Sequence, residues 1–203
     1  MLLKYSLINC YIVSSIYVCY YVSCHISICL SISADKLSTA KRKITLAYFN
    51  HGTTHGHHAE KFVKQLADRH GLDLKSGSYV DKADGKKPSE AQWREQRYDF
   101  FRTLNSTILT AHHLDDAAEW WLFTSIRGNP RIMPVSRKDP DIIRPFIKTP
   151  KEDFHKVTKP YSWAEDPSNT DWNYSRNRIR HEMMPSVLKV NPGFLTNVRK
   201  LYG

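Results

Sequence analysis

The chain has 203 residues, 30 Lys and Arg against 20 Asp and Glu, a formal net charge of +10 and 41% hydrophobic residues. That length suits one domain with a short extension, and the apolar share excludes wholesale disorder. The basic balance points to an anionic partner such as nucleic acid, although a solvated basic surface without one has the same composition.

The first stretch stands apart. From Tyr5 to Ala34 there is no Asp, Glu, Lys or Arg, 21 of the 30 residues are apolar, and Cys10, Cys19, Cys24 and Cys29 are the chain's only cysteines. Three readings fit. A membrane helix needs about 20 apolar residues, and Lys36, Lys41, Arg42 and Lys43 against Lys4 would leave the rest cytosolic. A signal peptide is the second, although the segment is long and has no small-x-small cleavage site. The third is a mistaken start, with residues 1–34 foreign to the domain. The mixture of β-branched residues, Tyr, Ser and Cys is poor for a membrane helix. No C-x-x-C pair occurs, so neither an iron–sulfur nor a zinc-ribbon site is supported. From Asp35 onward, 29 basic and 20 acidic residues leave the rest at +9.

Beyond a basic hinge, Ile44 to Phe49 reads as a short buried strand running into a turn at Asn50, His51 and Gly52. Ala59 to His70 predicts a helix with Phe62, Val63, Leu66 and Ala67 on one face and Gly71 as its stop. Asp73 to Val80 fits a second strand, followed by a polar loop to Pro88. Ser89 and Gln92 make a capping-box start for a helix reaching about Leu104. Thr107 to Ala111 is a third strand and Asp115 to Ile126 a third helix. Arg127 to Pro150 is rich in proline and reads as loop, and the last fifty residues are helical and basic. Alternating strands and helices predict an α/β fold with a parallel sheet.

Three clusters carry chemistry. Thr110-Ala-His-His-Leu-Asp-Asp-Ala-Ala-Glu119 lies at a strand-to-helix turn, beyond the carboxyl end of a strand, where open α/β sheets bind ligands. His112, Asp116 and Glu119 share a helix face if the helix reaches back that far. One imidazole and two carboxylates can hold a divalent cation, move a proton or grip a cationic substrate. The alternative is that Asp115 and Asp116 merely cap the helix. The run His51, His55, His57 and His58 invites a metal, but a loose histidine loop rarely converges as zinc requires, so a polar loop is the better reading. Asn173 to His181 carries Arg176, Arg178 and Arg180; guanidiniums bind phosphate, and Trp172 and Tyr174 offer stacking surfaces. Pairing with Glu182 and Asp171 on a solvated helix is the alternative.

Taken in order, these motifs resemble the tRNA(Ile)-lysidine synthetase family over roughly Ile44 to Pro192. Ala47-Tyr-Phe-Asn-His-Gly52 is similar to the family's strand ending in Asn-His-Gly. Glu90-Ala-Gln-Trp-Arg-Glu-Gln-Arg-Tyr98 resembles its Glu-Ala-x-x-Arg-x-x-Arg-Tyr helix, and Thr110 to Glu119 its Ala-His-His-x-Asp-Asp-x-x-Glu motif. Arg127-Gly128 and Arg144-Pro145 fall where its Arg-Gly and Arg-Pro pairs fall. Trp163 to Asn169, then Tyr174 to Arg180 with Met184-Pro185, resemble its most distinctive signature.

The resemblance implies a Rossmann-like, adenine-nucleotide hydrolase-like sheet flanked by helices, with a helical C-terminal segment. It implies a cytoplasmic ligase that uses ATP and Mg2+ to adenylate the C2 oxygen of the wobble cytidine in an isoleucine tRNA with a CAU anticodon. The ε-amine of free lysine then displaces AMP. His112, Asp116 and Glu119 would serve lysine, the base and magnesium, with Asp116 and Glu119 as the metal's ligands. Arg127, Arg176, Asn177, Arg178 and Arg180 would bind phosphate or tRNA. Arg94, Arg97 and Tyr98 would support the tRNA, and Asn50, His51 and Gly52 would turn near the nucleotide. A membrane is not expected; an oligomer is compatible.

Departures are specific. Ala117 stands where the family has Gln, Trp120 where it has Thr, and no Arg follows the Asn-His-Gly turn. The family cradles ATP in a Ser-Gly-Gly-x-Asp-Ser loop after its first strand, because glycine lets backbone N–H groups reach phosphate. Here that place reads Cys19 to His25, and no glycine precedes Gly52. The expected organisation is therefore a foreign segment 1–34, a partial nucleotide-binding domain 35–150 lacking its first strand, and a basic helical segment 151–203. Two alternatives accompany impaired lysidine synthesis: an inactive tRNA-binding relative, and a tRNA-thiolating enzyme, which the cysteine-free domain disfavours.

Overall fold

A computed structural model of the chain describes residues 15–19, 43–81, 88–158 and 171–203. Six strands form one sheet: β1 (Ser15–Cys19), β2 (Lys43–Asn50), β3 (Asp73–Ser78), β4 (Thr107–Thr110), β5 (Ser136–Lys138) and β6 (Asp141–Ile143). Their order is β3-β2-β1-β4-β6-β5. All neighbours pair parallel except β5 and β6. The long helices are α1 (Thr54–His70), α2 (Glu90–Thr103) and α3 (Leu114–Ile126), with α4 (Lys151–Thr158) after the sheet. The C-terminal part is α5 (Ser175–Arg178), a π-helical turn (Ile179–Met183), α6 (Met184–Val190) and α7 (Phe194–Lys200). This is the parallel α/β sheet that strand–helix alternation predicts, in the Rossmann-like arrangement that the resemblance implies.

The structure corrects one expectation. Ser15–Cys19, inside the segment read as foreign, is the central strand: Tyr17 pairs with Thr45 on one side and Ile108 on the other. The physical reason is that a parallel strand covered on both faces carries no charge and favours β-branched and aromatic residues. Ser-Ile-Tyr-Val-Cys has that composition, and so does an apolar leader. The first strand is thus present. The stretch after it, where the glycine loop was sought, lies outside the described residues, as does the Trp163–Asn169 motif.

Both faces of the sheet are covered. Leu46 and Leu109 pack with Ala59, Val63 and Leu66 of α1 and with Phe154 of α4. Ile108 and Ile142 pack on the other face with Tyr98 and Phe101 of α2. A third core joins Leu114, Ala118 and Leu122 of α3 to Ile147, Ile179, Met184 and Val198, so the C-terminal helices dock on α3. Each large side chain fully buried this way contributes about 1.5–3 kcal/mol.

Helix α1 starts earlier than the apolar pattern alone indicates. Thr53 caps it by accepting from the Gly56 amide at 3.0 Å. The histidines of the expected loop are therefore helical from His55 on. Asn50, buried at the end of β2, donates to Glu60 at 2.8 Å and accepts from the Gly52 amide at 2.9 Å. A Cβ on Gly56 would come within 2.4 Å of the Asn50 side-chain oxygen, so only glycine fits there. Among the described residues no group of His, Cys, Asp and Glu has the arrangement of a metal site, and no helix is long and apolar enough to cross a membrane. The proline-rich stretch contains the short hairpin β5–β6, whose three-residue strands are below what periodicity detects.

Candidate active site

Strand β4 ends at Thr110, and α3 begins four residues later. His113 is the N-cap: its Nδ1 accepts from the Asp116 amide at 3.4 Å, and Asp116 accepts from the His113 amide at 3.1 Å. The reciprocal pair satisfies two amide donors that the first turn leaves open. The cap is thus His113 with Asp116, rather than the two aspartates. Asp115 lies 3.5 Å from His113 Nδ1 and accepts from the Lys151 amide at 2.8 Å, tying α3 to the start of α4.

One turn further, α3 presents Glu119 beside Asp116, and both are buried. Their partners come from the C-terminal segment. Arg176 Nη2 lies 2.6 Å from Asp116 Oδ1, and Arg176 Nε lies 3.4 Å from Glu119. Arg180 holds Glu119 through Nε at 2.7 Å and Nη2 at 2.9 Å, and reaches Asp116 at 3.2 Å. Arg176 and Arg180 share one helix face, as their spacing predicts. Two buried carboxylates meet two guanidiniums, a charge-matched network.

The charges explain the titration. Burial by itself would raise the Asp116 carboxyl, but His113, Arg176, His112 and Arg180 outweigh it and hold it below the ordinary carboxylate range. Burial would likewise lower Arg176, yet Asp116 and Glu119 keep its guanidinium charged more firmly than usual. His112 goes the other way. Burial, with help from Arg144, Arg176 and Arg97 against the opposing pull of Asp116, pushes it down to about 3. It is a neutral imidazole at physiological pH, with Nδ1 2.9 Å from the Thr110 hydroxyl.

A cavity of about 290 Å3 opens over this network. His112, Asp116, Glu119 and Arg176 line it, as do Arg94 and Arg127. The fold therefore brings six candidate residues to one cavity. Tyr98 is buried beneath Arg94, whose guanidinium carbon is 4.6 Å from the ring centroid, and Arg97 lies 6.0 Å from the same ring. Arg180 supports the floor from behind the carboxylates. Asn177 and Arg178 do not reach the cavity: Asn177 is buried and donates to the Asp171 carbonyl, and exposed Arg178 donates to the Trp172 carbonyl, both at 2.9 Å. Asn50, His51 and Gly52 lie apart at the end of β2, where the His51 ring is 5.6 Å from that of Trp93 on α2.

Residues that the motifs did not flag as site residues complete the wall. Trp120 and Phe123 stack at 5.9 Å, and Arg127 lies 4.0 Å above Phe123. Arg137 of β5 enters from the hairpin, and buried Arg144 donates to the Pro134 carbonyl at 2.8 Å, holding the Met133–Pro134 rim. Arg144 had a signal, its place in an Arg-Pro pair. Arg137 had none, because its strand was not legible.

Known proteins bear on this geometry. The model of the PP-loop domain matches residues 25–187, beginning downstream of β1. A tRNA(Ile)-lysidine synthase of Lactococcus lactis is 32% identical over 171 residues, which cover 78% of this chain and 38% of the relative. One from Nitratidesulfovibrio vulgaris is 38% identical over 125 residues, covering 56% and 36%, and one from Persephonella marina is 31% identical over 165, covering 73% and 36%. The chain spans less than two fifths of the length of these relatives. In fold it is similar to a U34-tRNA thiolase from Methanococcus maripaludis, solved with its [4Fe-4S] cluster, with a TM-score of 0.74 at 13% identity over 93% of this chain and 70% of that one. A parallel sheet with its cavity beyond β4, and a family match running from residue 25 into the arginine helix, place this chain in the PP-loop domain family.

Proposed function

We propose that the cavity serves lysidine formation on an isoleucine tRNA, in the cytoplasm. The observation that carries this reading is the convergence of Asp116 and Glu119 with Arg176 and Arg180, from two motifs 57 to 64 positions apart, on one cavity. In the reaction, the cytidine C2 oxygen attacks the α-phosphorus of ATP and pyrophosphate leaves. The lysine ε-amine then attacks C2, loses a proton to solvent, and AMP departs. Asp116 and Glu119 supply the negative charge that selects an ammonium. Arg176, about half exposed at 51% against 26% for Arg180, is the guanidinium that yields to it. His112, held neutral, offers hydrogen bonds to the base rather than a strong proton acceptor. Arg127, with Arg176 once displaced, meets phosphate, and Arg94 and Arg97, over the buried Tyr98 ring, face tRNA; Asn177 and Arg178 brace the helix that carries Arg176. The carboxylates already have cationic partners, so these residues offer Mg2+ no ready seat.

The ATP half is the weak half. The sequence after β1 has no glycine to let backbone amides close around a triphosphate. We therefore expect lysine and tRNA binding without efficient adenylation. Thiolation is the poorer reading, since no cysteine follows Cys29. The test incubates the purified chain with isoleucine tRNA, ATP and labelled lysine. Lysine binding to the tRNA complex with little pyrophosphate release supports the proposal. Rapid lysine-dependent pyrophosphate release shows that the ATP half works after all. No dependence on lysine at any step, with tRNA still bound, leaves only the inactive tRNA-binding relative.

A further inference from the structure

Among the described residues, three arginines around the cavity have no acidic partner. Arg94 on α2, Arg127 after α3 and Arg137 on β5 all line it. Among the described residues, no carboxylate lies within ion-pair distance of any of the three. Aromatic rings hold them instead. The guanidinium carbons of Arg94 and Arg137 lie 4.6 and 4.8 Å from the centroid of the Tyr98 ring, and that of Arg127 lies 4.0 Å from Phe123. Arg137 is fixed further by donating from Nε to the Asp139 carbonyl at 2.6 Å. Tyr98 is itself buried, so its ring cannot swing away.

Two cations on one ring lie within ~10 Å of each other, about one screening length at 0.1 M salt, so their repulsion persists. Among the described residues lining the cavity, no free carboxylate offsets it. Asp116 and Glu119 are already matched by Arg176 and Arg180, and His112 is neutral. A multiply charged anion with several acceptor oxygens would relieve the repulsion and use the forked donors, which is how arginine recognises phosphate. We propose that Arg94, Arg127 and Arg137 form one phosphate-binding subsite, with Tyr98 as the positioning residue that aims two of them. The charge pattern holds without the lysidine reading, and it joins Arg137 to Arg94, assigned above to tRNA, and to Arg127, assigned above to phosphate, in one site. The phosphate is either that of a free nucleotide or that of an RNA backbone.

The test titrates the full chain, by calorimetry, with inorganic pyrophosphate and separately with a short unpaired RNA oligonucleotide. Arg137→Gln is expected to weaken binding about tenfold and the Arg94→Gln/Arg137→Gln pair further. Tyr98→Leu is expected to cost about three- to tenfold, and Tyr98→Phe, which keeps the ring, to restore affinity. Losses confined to the RNA arm, with a salt slope shallower by ~0.7 per contact, identify the backbone as the source. Losses on the pyrophosphate arm identify a free nucleotide. Should Tyr98→Leu fail to fold, the arginine variants decide alone. Binding of neither ligand by the unmodified chain, or unchanged binding of both by the double variant, overturns the subsite. Phosphate binding that persists while lysine transfer is absent sinks only the lysidine reading.

Discussion

Replacing Arg180 with Gln tests whether the charge network holds the C-terminal helices on α3. Arg180 makes three contacts of 2.7, 2.9 and 3.2 Å with Glu119 and Asp116. Those carboxylates are only 5% and 7% exposed. Removing one partner of a buried ion pair costs about 3–5 kcal/mol, because the remaining charge stays desolvated. Arg180 is 26% exposed and Arg176 still neutralises part of the pair, so the lower end, about 3 kcal/mol, applies. For a domain of this size that lowers Tm by about 6–12 °C. The double variant with Glu119→Gln should lose less than the two singles together, with a coupling of about 1–3 kcal/mol. Acid adds a second reading. Asp116 is held below its ordinary value in the fold, so its contribution is complete above the unfolded carboxylate pKa of ~3.9 and is lost as pH falls below that. Arg180→Gln brings the folded value nearer the unfolded one and makes the acid limb of Tm against pH shallower. Thermal melts between neutral and acid pH measure both effects. A Tm within ~2 °C of the unmodified chain, or fully additive singles, refutes the network as the clamp.

Other outcomes follow from single contacts. His112 is pushed down to about 3 by burial, so the unfolded chain binds its proton first. Stability is therefore lost progressively as pH falls from ~6.5 toward that value, and His112→Gln should flatten this stretch of a urea-midpoint profile. Gly56→Ala drives a Cβ into the Asn50 side chain at 2.4 Å, and denaturant melts should show a loss of about 1–3 kcal/mol. The Lys43–Asp73 pair joining β2 and β3 is exposed at 68% and 57%, so Asp73→Asn should leave Tm indistinguishable from the unmodified chain in a thermal melt.

Local signals made much of the fold legible. Alternating strands and helices gave the parallel sheet, and the Ser89 start and Gly71 stop fell where capping chemistry requires them. Two features escaped for physical reasons. A central parallel strand and an export or membrane segment share the same signal, uncharged and β-branched, so β1 could not be told from a leader until its neighbours were in place. The β5–β6 hairpin has strands too short for any period to show, and with it went Arg137. Helix α1 began early because its start is set by a Thr53 cap and the Asn50 contact, not by apolar spacing.

The site was legible in its residues but not in its pairings. The acidic cluster reads as a seat for a cation, and the arginine cluster as a seat for an anion. In the fold each is the other's ligand, with Arg176 at 2.6 Å from Asp116 and Arg180 at 2.7 Å from Glu119. That changes what binding requires. An ammonium entering the carboxylates must displace a guanidinium already bonded there, so its affinity is the difference between two similar interactions. Among the described residues, a phosphate meets no such competitor at Arg94, Arg127 and Arg137. Anion binding is thus the ready half of this cavity, and cation binding the half that needs Arg176 to move. On the lysidine reading proposed above, a phosphate drawing Arg176 toward itself would open the carboxylates, a reason for nucleotide or RNA to bind before lysine. Prior saturation with pyrophosphate should then tighten lysine binding, measured by calorimetry, and an unchanged lysine affinity would rule this coupling out.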